Sequence, residues 1–186
     1  MAGMRLHLTR LDERRYETVI VRDDGVYFHV QGVGHMFAIP HDLAHFAIEG
    51  ALQLRRGFWG SVADGAVVDS MTHVSGRRRP RAAERSREVL RANHHELMEA
   101  ECLVRLFNDA LEEGHGPHSP VLRTRLADYL QNSPGPSTRR VSDAEIEGAC
   151  AAWRRMLEQW RALPVGGTLE LSWSAEAPPR RRRRAR

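Results

Sequence analysis

The sequence predicts an α+β domain: a small antiparallel sheet of about four strands, an N-terminal hairpin region plus a C-terminal strand, packed against four or so helices. Three observations carry this. Residues 4–9 and 168–173 alternate apolar and polar with the period of two of a half-buried strand. Asp23-Asp24-Gly25 separates two β-branched and aromatic runs, and much of the chain between the two ends reads with the 3.6-residue period of amphipathic helices. The order β-β-β-α-α-α-α-β suits a sheet covered on one face by helices and closed by its two termini.

In the first strand, Met4, Leu6 and Leu8 point inward. Tyr16 to Arg22 and Val26 to Val30 form the hairpin, because Asp-Gly supplies the positive φ angles of a tight turn. Pro40 suits a first helical turn, where its missing N–H has no partner to lose. A helix is expected from there to about Leu54, with Gly57 near its end and one or two turns over 61–68. Residues 73–80 lack periodicity and read as an exposed basic loop. A long amphipathic helix is expected over 81–113, since Leu90, Leu97, Val104 and Leu111 recur every seven residues. Ser119-Pro120 opens a shorter helix to about Leu130, and residues 132–137 are a linker. Ser142 with Glu145 three residues on is a capping box for a helix carrying Ile146, Ala149, Trp153 and Trp160, ended by Pro164 and Gly166-Gly167. Leu169, Leu171 and Trp173 share one face of the last strand.

The chain of 186 residues is 41% apolar, enough for one core, so residues 1–174 are expected to form a single domain. Every basic residue is arginine. Residues 175–186 hold six arginines against Glu176, so this disordered tail carries +5 of the net +4 and leaves the body at −1. Cys102 and Cys150 fall in helical segments without C-x-x-C spacing, and no secretory apolar region opens the chain, which fits a reducing cytoplasm. No window is apolar for long enough to span a membrane. Glycine-rich phosphate loops and G-x-S-x-G elbows are absent, so nucleotide and acyl-enzyme chemistry have no support.

The chemistry concentrates in Pro40-His41-Asp42-Leu43-Ala44-His45-Phe46-Ala47-Ile48-Glu49. At about 100° per residue His41, His45, Glu49, Asp42 and Gln53 share one strip about 120° wide, and apolar residues fill the rest. So apolar a helix should be buried on most sides. Histidines at i and i+4 can present two imidazole nitrogens to one zinc ion. Asp42 is a candidate base and equally a first-turn acid that complements the helix dipole. Glu49 is a candidate proton-steering group, though it lies about 12 Å from His41 along the axis and can instead orient a ligand. A third ligand must come from elsewhere. His94 and Glu101, which interrupt the apolar seam of the long helix, are preferred, and His35 could fold back over the helix start. His95, Glu99, His115 and His118 are expected at the surface.

The run Pro40-His41-Asp42-Leu43-x-His45-Phe46-x-x-Glu49, with Gly57-Phe58-Trp59-Gly60 and Leu163-Pro164-x-Gly166-Gly167-Thr168-Leu169, resembles a family of small bacterial proteins of unassigned activity. The His41-Asp42-x-x-His45 core is also similar to the metal motif of the coenzyme Q biosynthesis family of helical zinc proteins. That resemblance spans about five residues and implies zinc at His41 and His45, with Asp42 beside it. The family's next glutamate, twelve positions after the second histidine, corresponds here to Gly57.

The pattern predicts a zinc-binding protein, most simply a metal-dependent hydrolase of an unidentified small molecule. His41 and His45 are ligands, Glu101 or His94 completes the shell, metal-activated water attacks, and Asp42 or Glu49 steers the proton. The competing reading is a non-enzymatic interaction module whose Arg180 to Arg184 run, with the arginines of 77–81, contacts nucleic acid or an acidic partner. Self-association through Trp153, Trp160 and the long helix is a third.

Overall fold

In a computed structural model, which describes residues 3–33, 38–132 and 139–174, the first and last described strands pair in one antiparallel sheet. Strands β1 (Gly3–Arg10), β2 (Arg15–Arg22) and β3 (Tyr27–Val33) follow as a meander, and β5 (Thr168–Ser174) pairs with the free side of β1. The register sets Leu6 opposite both Ile20 and Leu171, and Ile20 opposite Phe28. One face therefore carries a continuous apolar row into the core. The other face mixes polar residues with Val19 and Val21, and there His29 lies 3.0 Å from Glu17 and His7 3.6 Å from Glu170. Gly25 turns the β2–β3 hairpin with φ 76°, as Asp-Gly predicts.

A fifth strand, β4 (Thr72–Ser75), adds to β3, giving the order β4-β3-β2-β1-β5. It lies in the stretch expected to be loop. All four of its residues are exposed, so no buried face imposes the alternation by which a strand is read.

Six helices complete the described fold: α1 (His41–Leu52), α2 (Phe58–Ala63), α3 (Ala82–Ala92), α4 (His94–Glu112), α5 (Pro120–Asn132) and α6 (Asp143–Ala162). Helix α1 packs against α4 and α6, and Leu43, Ile48 and Leu52 are fully buried. It ends at Gln53, four residues before Gly57. Gln53 adopts φ 54°, while its N–H reaches the Gly50 carbonyl and that of buried Leu54 reaches Glu49, a Schellman ending built without glycine. Gly57 instead precedes α2.

The helix expected over 81–113 is two helices, divided at Asn93. Asn93 is buried and its Nδ2 donates to Ser61 Oγ at 3.1 Å, tying the junction to α2. The sequence period continues through the break because Val89 and Leu90, half-buried in α3, keep the apolar spacing of α4. Helix α6 carries the complete Ser142–Glu145 capping box. Trp153 is core, with Nε1 donating to Asn108 at 2.9 Å, and Trp160 packs edge-on to Tyr16. No helix among the described residues is long and apolar enough to cross a membrane. The arginine tail 175–186, linker residues 133–137 and His35 lie outside the described residues.

Candidate metal centre

Because α1 is buried on most sides, the middle of its polar strip, His45 and Glu49, meets protein, while His41 at its start reaches water. His41 opens the helix and His45 stands one turn on, their rings edge to face with centroids 4.4 Å apart. Helix α4 passes beside them, held by Ala100, Leu103 and Val104, all fully buried, and the residue this anchoring presents to the histidines is Glu101. His45 Nε2 lies 3.1 Å from His41 Nε2 and 3.4 Å from Glu101 Oε2, and His41 Nε2 is 3.7 Å from the same oxygen. Three potential ligand atoms thus converge on one point. The point sits at the protein boundary: the His45 side chain is 2% exposed, those of His41 and Glu101 52% and 45%.

Glu49 lies behind this cluster, wholly buried. His45 Nδ1–H donates to Glu49 Oε1 at 2.6 Å, the Phe58 N–H donates to the same oxygen at 3.0 Å, and the Trp59 N–H donates to Oε2 at 3.2 Å. Burial pushes the Glu49 carboxyl up, against hydrogen bonds from His45, Trp59 and Phe58 that favour the anion. An environment of three N–H donors fits a carboxylate. The room for it comes from Gly57, where a Cβ would sit 2.5 Å from Glu49 Oε2 and 3.0 Å from Ala100 Cβ.

This arrangement fixes the imidazole. With the proton of Nδ1 committed to Glu49, Nε2 is the nitrogen facing His41 and Glu101. Burial disfavours a charged His45, but hydrogen bonds to Glu101 and Glu49 outweigh it and push its pKa up to about 9. Hydrogen bonds to His41 and His45 hold Glu101 well below the ordinary glutamate range against partial burial.

Asp42 turns the other way. Its Oδ2 accepts from the buried Thr18 hydroxyl of β2 at 2.9 Å, and Trp59 Nε1 donates to its carbonyl at 3.1 Å. Burial pushes the Asp42 carboxyl up, opposed by Thr18 and the two histidines, and burial also raises the neighbouring Tyr16 phenol. His94 begins α4, is exposed and packs against His95, and is not in the group formed by His41, His45 and Glu101. His115 and His118 instead approach Glu113 and Glu147. Sequence reasoning did not single out Thr18 or the Phe58 and Trp59 amides. The Gly57-Phe58-Trp59-Gly60 run was the available signal, since both glycines permit close backbone approach: a Cβ on Gly60 would lie 1.7 Å from the Arg55 carbonyl oxygen.

No protein-family model matches the chain, and neither curated proteins nor solved structures show a match to it.

Proposed function

We propose that the protein binds one divalent metal ion, zinc, through His41, His45 and Glu101, and uses the remaining coordination position for hydrolysis. The supporting observation is the triangle of 3.1, 3.4 and 3.7 Å between the three ligand atoms. Tetrahedral ligands at zinc distances of 2.0–2.1 Å stand about 3.4 Å from one another. Two imidazoles and one carboxylate are also a donor set that zinc accepts.

Two histidines and one carboxylate leave zinc one open position, the condition for metal-activated water. The exposure of His41 and Glu101 supports an open position that water and a substrate would reach from solvent. In this reading Glu49 holds His45 in its ligating tautomer and is no general base, because both its oxygens are engaged and shielded from water. Asp42 has the same limitation in milder form, its carboxylate being committed to Thr18. The proton of an activated water would leave through the unligated Glu101 oxygen or to solvent.

The test is metal analysis of purified protein followed by zinc titration of the chelator-stripped chain. About one equivalent per chain is expected. His41→Ala with His45→Ala should abolish it, Glu101→Gln should weaken it, and His94→Ala should leave it unchanged. Wild-type protein that takes up no zinc, or a double variant that binds as well, would refute the reading.

A further inference from the structure

The basic loop after β4 has no part in the metal centre, and the fold gives it a second destination. Gly76, at φ +86°, crosses the β2–β3 turn so closely that a Cβ there would lie 2.1 Å from the Gly25 carbonyl oxygen. That crossing carries Arg78 and Arg79 over the turn. Beneath them Arg22 is paired with Asp24 through its guanidinium and lies 5.5 Å from the Phe28 ring centre. The far wall is fastened by Ser86, whose Oγ accepts from the Val67 N–H at 2.9 Å and donates to the Val67 carbonyl at 3.3 Å, so α3 brings Arg85 alongside. These elements enclose a cavity of ≈ 90 Å³ whose charged lining is Arg22, Arg78, Arg79, Arg85, Asp24 and Asp64.

We propose that this cavity binds the phosphate group of a small phosphomonoester. Four arginines against two aspartates give the lining a formal charge of +2. A phosphomonoester at neutral pH carries about −1.5 to −2, so the charges match, whereas a carboxylate would leave half of the lining uncompensated. Planar guanidinium forks suit phosphate oxygens; Arg22 gives its Nε and Nη2 to Asp24 and Arg85 donates to the Pro80 carbonyl, so Arg78 and Arg79 are the forks offered to the phosphate and Arg22 and Arg85 contribute charge. The volume corresponds to about three waters, room for one tetrahedral oxyanion. An adjoining hollow of ≈ 260 Å³, lined by Arg22, Arg79, Asp23, Asp24, Asp64 and Ala63, is net acidic and would take an uncharged, hydroxyl-bearing organic part of the molecule. The site involves no residue of the histidine cluster.

The test is calorimetric titration of the full chain in chelator, at constant ionic strength, with glycerol 3-phosphate, inorganic phosphate and, as control, chloride. Chelator removes any phosphate bound through a metal, so the outcome is independent of the zinc reading. Saturable binding of about one equivalent of either phosphate species is expected, and none of chloride. Tighter binding of the ester assigns the hollow to its organic part; inorganic phosphate binding equally well restricts the site to the phosphate group and overturns the ester. Arg78→Ala with Arg79→Ala should weaken binding about tenfold or more. Arg87→Ala with Arg91→Ala removes the same charge from α3 outside the cavity and should change it less than about twofold. Absence of saturable heat, or equal losses in the two double variants, would overturn the site in favour of a diffuse basic surface. Circular dichroism melting confirms that each variant is folded.

Discussion

Substituting Gly57 by alanine tests the whole logic of the cluster with a single methyl group placed outside it. Gly57 has φ −67°, outside the left-handed region that needs glycine, so contacts dominate the effect of alanine there. The new Cβ would lie 2.5 Å from Glu49 Oε2, 2.8 Å from Glu49 Cδ and 3.0 Å from Ala100 Cβ. The first is about 1 Å short of ordinary van der Waals separation. Ala100 belongs to the buried seam of α4, so the carboxylate of Glu49 has to give way. A shift of about 1 Å carries at least one of its three hydrogen bonds beyond about 3.5 Å. Losing one charge-assisted bond costs about 1.5–3 kcal/mol, in the range of ordinary overpacking. Because the displaced group is the one that orients His45, zinc affinity should fall about 10- to 100-fold as well. Chemical denaturation measures the first quantity and competition with a chromophoric chelator the second. Wild-type affinity in a variant destabilised by the expected amount would separate Glu49 from the metal centre and refute the reasoning.

Glu49→Gln leaves the shape but offers an amide N–H₂ where only donors face it; zinc affinity should drop by about 10- to 100-fold, read by the same competition assay. The metal-free protein should lose stability at alkaline pH: His45 titrates near 9 in the fold against 6.5 in the unfolded chain, so its contribution is complete below 6.5 and is lost as pH rises toward 9. Denaturation midpoints between pH 6 and 10 measure this, and a flat or rising profile there would contradict it. Over the same window zinc affinity should increase, because the proton on His45 Nε2 must leave before the ion enters. Ser142→Ala removes the capping hydroxyl of α6 and should cost about 1 kcal/mol without changing zinc binding.

Local features were legible in the sequence because their causes lie within a few residues. The Asp-Gly turn, the capping box and the inward alternation of Met4, Leu6 and Leu8 depend on backbone preference and on which face is wet. The same holds for the i, i+4 spacing that puts His41 and His45 on one strip of a largely buried helix. Where a signal needs a dry side to contrast with a wet one, it fails: β4 has none, and the period through 81–113 was blind to the break at Asn93 because the apolar spacing runs on from Val89 and Leu90 to Leu97 and Val104 although α3 is mostly exposed.

The sequence alone thus determined the α+β class and half of the candidate metal site. Which side chain completes it was a matter of tertiary structure. His94 and Glu101 were equivalent as interruptions of one apolar seam, and helix packing distinguishes them: Ala100, Leu103 and Val104 anchor α4 so that Glu101 faces the histidines, while His94 remains exposed at the start of the helix. The hydrogen bonds of Glu49 were decided the same way, by the chain after Gln53 that brings the Phe58 and Trp59 amides back onto its carboxylate. Periodicity reports which face of a helix is buried; only the packing of one helix on another decides what that face touches.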